Sequence, residues 1–171
     1  MLRPDDVLSH SESYHLLPRR ERPRRAAAST HTDPFTLLVA PDAAGAAAGG
    51  LYLDSYDGYA HKHGGSRRVH FAFTADTLVV APEPPAPPTA LALHASSEPP
   101  EPPAATSFVE RVVFLAQAAP RRALVRRSCA TGGAPVEPVE AQVRFDAAAG
   151  TLTVRQPGVR VGEGFSVELI E

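Results

Sequence analysis

The feature that most constrains this chain is a two-residue hydrophobic alternation that recurs along it. Phe35, Leu37 and Val39 alternate with Thr36, Leu38 and Ala40. Val69, Phe71 and Phe73 alternate with Arg68, His70 and Ala72, and Phe165, Val167 and Leu169 with Ser166, Glu168 and Ile170. Successive side chains of a strand point to opposite faces, so this period predicts strands with one face in a core and one outside it. Val143 and Phe145 are followed, after the turn-like Asp146–Gly150, by Leu152 and Val154, which reads as a hairpin. Thr77 to Val80 follows Phe73 after a short Thr-Ala-Asp turn and predicts another. Ala123 to Arg127 is a further predicted strand, and Leu51-Tyr52-Leu53 is one that pairs with the strand before it across the small-residue turn 42–50. Short strands at near-regular spacing with turn signals between them predict an all-β fold, an antiparallel β-sandwich with little helix. The core expected from this pattern contains Leu51, Leu53, Val69, Phe71, Phe73, Val112, Phe114, Phe145, Leu152, Val154, Phe165, Val167 and Leu169.

Other stretches break the pattern. Nine of the 18 prolines lie between Pro82 and Pro103. Proline fixes φ and donates no hydrogen bond, so residues 81–105 are expected to form a long extended loop outside any central sheet. Residues 108–115 (FVERVVFL) suit a strand, with helix as the alternative because Ala-Gln-Ala-Ala follows. Residues 1–15 are polar and aperiodic and are expected to form a disordered leader without the apolar stretch of a signal peptide. Residues 18–25 (PRRERPRR) are densely basic, but their two prolines disfavour a long helix.

The residues also exclude classes of function. A (β/α)₈ barrel needs about 200–250 residues, more than the 171 present. The net charge is -2 and the basic stretch has no interleaved aromatic platform, so no nucleic-acid partner is expected. No apolar run is long enough to span a bilayer, so no membrane partner is expected. The single cysteine, Cys129, permits no internal disulfide, and although it follows Arg126-Arg127 it reads as an ordinary strand or loop residue. Asp54 and Asp57, and Asp33 and Asp42, are the candidate carboxylate pairs, but loop aspartates usually hold turns by accepting backbone N–H bonds. His61-Lys62-His63 has the His-x-His spacing of a metal ligand pair, yet Gly64-Gly65 marks a solvated loop. The expectation is no catalytic residue, no metal and no cofactor.

Several segments, in order, resemble the C-terminal region of glycoside hydrolase family 31 α-glucosidases. Leu16-Leu17-Pro18-Arg19-Arg20 resembles the family's Ile-Ile-Pro-Arg-Lys, and Asp33-Pro34-Phe35-Thr36-Leu37 its Asp-Pro-Tyr-Thr-Leu. Gly50-Leu51-Tyr52-Leu53-Asp54 resembles Glu-Leu-Tyr-Leu-Asp, followed here by Ser55-Tyr56 where the family has Asp-Gly. Phe108-Val109-Glu110-Arg111-Val112-Val113 resembles Trp-Ile-Glu-Arg-Ile-Val, and Gln156-Pro157-Gly158-Val159 resembles Lys-Pro-Gly-Val. The resemblance covers about residues 16–171. It implies a remnant of the proximal C-terminal sandwich over 16–50 and the distal sandwich over 51–171, with strands of the proximal domain missing. The family's nucleophile lies in a Trp-Asn-Asp-Met-Asn-Glu type motif, and this chain has no Trp, no Asn and only Met1. The resemblance therefore implies a non-catalytic accessory sandwich whose partner is an α-glucosidase catalytic barrel, in cis in the parent enzyme. The parent reaction would be hydrolysis of α-linked glucose in N-glycan trimming, in the endoplasmic reticulum lumen. The competing expectations are a free-standing interaction or carbohydrate-binding module, with Tyr52, Tyr56 and Tyr59 as its clustered rings, and a fragment with no independent role.

Overall fold

The computed structural model describes residues 33–54, 66–84, 107–128 and 137–171, and the backbone of 14–18. The elements are β1 (Tyr14–Pro18), β2 (Phe35–Val39), β3 (Ala47–Asp54), β4 (Ser66–Thr74), β5 (Thr77–Pro82), β6 (Val109–Phe114), β7 (Arg122–Arg127), β8 (Val139–Asp146), β9 (Thr151–Arg155) and β10 (Phe165–Ile170). The described residues contain no helix, and the 108–115 run is a strand. β1 begins inside the stretch expected to be leader; residues 1–13 lie outside the described residues.

The strands run in the order β1-β2-β6-β9-β8-β7-β10-β5-β4-β3. β8 turns this ribbon into two layers. Its first residues, Val139 to Ala141, pair with β7, and its later ones, Gln142 to Asp146, pair with β9. A strand that changes partner in this way forms a corner, and the two sheets fold face to face around it. At the other end β1 comes close to β3, so the sandwich is nearly closed. All pairings are antiparallel except β2 with β6, which is parallel. β3–β5 lie between these two strands in sequence, so their connection crosses through the opposite sheet.

The alternation positions form the core. Leu37, Leu53, Val69, Leu78, Val112, Phe114, Leu152, Val154 and Val167 are each 0% exposed, and Phe71, Phe73, Phe165 and Leu169 are buried with them. Phe73 on β4 and Phe114 on β6 meet across the layers with ring centroids 5.5 Å apart at 49°. Of the predicted core, Leu51 and Phe145 are half-buried and pack against its margin. Val159 and Val161, absent from that prediction, are fully buried. Their segment is held against the start of β6 by the bonds Val109 N–H to the Val159 carbonyl (2.9 Å) and Val161 N–H to the Ser107 carbonyl (3.0 Å).

Two expectations are corrected. The strand containing Leu51 and Leu53 pairs with β4, not with the strand before it. It also begins at Ala47, within the stretch expected to be turn, so the turn shrinks to 42–46. There the Asp42 carboxylate accepts N–H bonds from Ala44 and Ala46, both at 2.9 Å. The 50/51 boundary suggested by the resemblance falls inside β3.

The β4–β5 hairpin has two central residues, Ala75 (φ 47°) and Asp76 (φ 61°), which is the type I′ geometry. Its twist suits a hairpin, but alanine carries a Cβ penalty of about 1–2 kcal/mol at positive φ. Asparagine tolerates that region, so Ala75→Asn is expected to raise stability by about 0.5–1 kcal/mol. A thermal melt checks this, and a lower midpoint would contradict the turn geometry.

Candidate interaction faces

The outer face of the β3-β4-β5-β10 layer is poor in side chains. Cross-strand pairing aligns Ala48, Ala72, Val79 and Ser166 in one row and Gly50, His70 and Ala81 in the next. Tyr52 and Arg68 form a third row, in which the Arg68 guanidinium lies 5.9 Å from the centre of the Tyr52 ring. A cation over the ring covers one of the two faces on which a sugar would stack. Tyr56 and Tyr59, the other rings of that reading, lie outside the described residues, as do Asp57, His61, His63 and Cys129.

The outer face of the β2-β6-β9-β8 layer is different. One row runs Thr36, Arg111, Arg155, Gln142, and the next runs Leu38, Val113, Thr153, Arg144. The register between β2 and β6 slips by one residue. Phe35 faces Val109 and Thr36 faces Arg111, which leaves Glu110 as the extra residue of a β-bulge. Val109 and Val112 are both buried, so Glu110 and Arg111 fall together between them on the outer side. Glu110, Arg111, Gln142, Arg155 and Gln156 line a polar cleft of ≈ 270 Å³. Inside it the Arg111 guanidinium is 3.6 Å from the Glu110 carboxylate. The Gln156 N–H donates to the Glu110 carbonyl at 2.8 Å, and Gln156 itself has a φ of 45°.

Several other basic residues among those described are engaged locally. Arg67 donates to the Gly162 carbonyl (2.8 Å), Arg121 pairs with Asp76 (2.5 Å), Arg122 donates to the Glu171 carbonyl (3.3 Å), and Arg126 pairs with Glu168 (3.1 Å). Of the basic stretch 18–25 only the backbone of Pro18 is described, as the end of β1. Of the candidate carboxylates, Asp42 holds its turn, Asp54 ends β3 opposite Ser66, and Asp33 is buried just before β2. Among the described residues no three His, Cys, Asp or Glu side chains are grouped to hold a metal ion. Among them also, no helix is long and apolar enough to cross a membrane.

The fold and its faces thus define an all-β, sandwich-like unit with polar and side-chain-poor outer surfaces. No protein-family model matches the chain. Over most of its length the chain is similar to a part of several α-glucosidases. It is 28% identical over 158 residues to a probable glucan 1,3-α-glucosidase of Arabidopsis thaliana, covering 91% of this chain and 16% of that protein. To human neutral α-glucosidase AB it is 29% identical over 159 residues, covering 90% and 14%. A crystal structure of the glucosidase II α subunit superposes with a TM-score of 0.66 at 25% identity, over 93% of this chain and 17% of that one. The chain therefore spans under one fifth of the length of these relatives.

Proposed function

We propose that this chain is a non-catalytic C-terminal sandwich of a family 31 α-glucosidase, working with a catalytic barrel that it braces. The observation that carries this is the shape of the similarity. It runs through 91% of the chain yet takes in 16% of the Arabidopsis relative. The family's nucleophile motif has no counterpart in these residues, so hydrolysis of α-linked glucose belongs to the barrel. In this reading the parent acts in N-glycan trimming in the endoplasmic reticulum lumen, and the barrel lies in the same polypeptide or in a separate one.

A graft tests the reading. In a glucosidase II α subunit, deleting the matching C-terminal segment is expected to abolish soluble, active enzyme. Inserting this chain in its place is expected to restore part of both. A graft no better than the deletion would remove the bracing role. Separately, the purified chain is expected to release no glucose from an α-1,3-linked glucose disaccharide. Release that follows the chain through purification would overturn the non-catalytic reading.

A further inference from the structure

We propose that the outer face of the β2-β6-β9-β8 layer is an interaction surface for an acidic protein surface, with a partner carboxylate seated between Arg111 and Arg155. Charge and packing alone define this surface, independently of the enzyme assignment.

Arg111 and Arg155 are direct cross-strand partners. Like charges in that position repel and destabilise a sheet. Arg111 has the Glu110 carboxylate at 3.6 Å, and Arg155 makes no ion pair or side-chain hydrogen bond among the described residues. The same cleft holds the Glu110 bulge and the positive φ of Gln156. Three locally unfavourable features therefore meet in one place. Strain of this kind persists where surrounding structure fixes it, and it concentrates at binding sites. A carboxylate arriving between the two guanidinium groups would remove the repulsion and accept charge-assisted bonds from both.

The surroundings favour a protein surface over a small anion. Beside the arginine row, Leu38 and Val113 face each other as a half-buried apolar pair, with Arg144 at the end of their row. An apolar centre rimmed by arginine is the usual composition of protein interfaces. The cleft is polar and sits on a sheet face, and among the described residues that line it two guanidinium groups, Arg111 and Arg155, stand against one carboxylate, Glu110.

The test is NMR on the full ¹⁵N-labelled chain at low ionic strength, following backbone amides and arginine Nε–Hε signals. The probe is a synthetic hexapeptide of alternating glutamate and serine, and the control replaces each glutamate by glutamine. The acidic peptide is expected to give saturable shifts in β6 and β9 and at Arg111 and Arg155, and the control none. Arg111→Gln and Arg155→Gln are each expected to weaken binding at least tenfold, whereas Arg122→Gln, on the other layer, leaves it unchanged. Arg155→Gln is expected to melt no lower than the parent, because it removes a repelling neighbour. Absence of saturable shifts would overturn the proposal. So would equal weakening by Arg122→Gln, which signals unspecific attraction, or citrate binding in the cleft as tightly as the peptide, which signals a small-anion site. Concentration-dependent dimerisation lost in Arg155→Gln would assign the face to a second copy and also overturn it.

Discussion

Replacing Phe114 with alanine is expected to lower the folding free energy by about 3–5 kcal/mol. Phe114 is 0% exposed and ends β6 in one layer, while its ring meets that of Phe73, on β4 in the other. Removing it deletes apolar burial and leaves a cavity between two sheets whose strands are fixed by their own hydrogen bonds. The layers can close on that space only in part, so the cost includes the cavity as well as the lost transfer energy. A single domain typically has about 5–15 kcal/mol in total, so the loss is a large fraction of its stability. The measurement is a urea titration, in which the midpoint falls and the slope holds. Phe73→Ala is expected to behave alike. The double variant should lose less than the two single losses combined, because the 5.5 Å ring contact is removed in each single variant and counted twice. A Phe114→Ala loss below about 1 kcal/mol would mean that the layers are not packed through these rings.

Much of this core was legible because its signal is local. β4, β5, β9 and β10 carry branched or aromatic residues at every second position, and those positions are the buried ones. Periodicity says which side of a strand is inside but not which strand lies beside it. On that signal alone β3 falls beside β2, where the structure pairs it with β4. The parallel β2–β6 pair likewise joins segments separated by three strands of the other layer, a relation with no local signature. Ala47 to Gly50 reads as turn because small residues have low strand preference, and strand pairing with Phe73, Ala72, Phe71 and His70 of β4 overrides it. Val159 and Val161 were missed because their burial comes from bonds to Ser107 and Val109, some fifty residues earlier. The arginine cleft was illegible for a related reason. Arg111 and Arg155 each stand at an ordinary outward position, and only the β6–β9 register, with the bulge at Glu110, makes them neighbours. The available signal was an arginine at an outward position in each of β6, β8 and β9, which becomes meaningful once those strands are known to adjoin.

Leu37→Asp is expected to unfold the chain as a whole, and this outcome bears on how the chain is divided. Leu37 is 0% exposed in the middle of β2, with β1 on one side and β6 on the other. A carboxylate there is shut off from solvent and has no basic partner among the described buried residues, whose polar or charged members are Asp33 and Ser107. Burying an unpaired charge costs several kcal/mol even after the protein relaxes, which approaches the entire stability of an ordinary domain. The division at residue 50 suggested by the family resemblance treats β2 as part of a remnant beside the main sandwich. On that division, damage at Leu37 would leave β7, β8, β9 and β10 folded. The pairing argues otherwise: β2 is bonded along its length to β6, β6 to β9, and β9 to β8, so losing β2 exposes the inner side of a continuous sheet. Amide signals of β9 and β10 in a ¹⁵N spectrum are expected to collapse together with those of β2. Native β10 signals retained in Leu37→Asp would show two separable units and restore the boundary at residue 50.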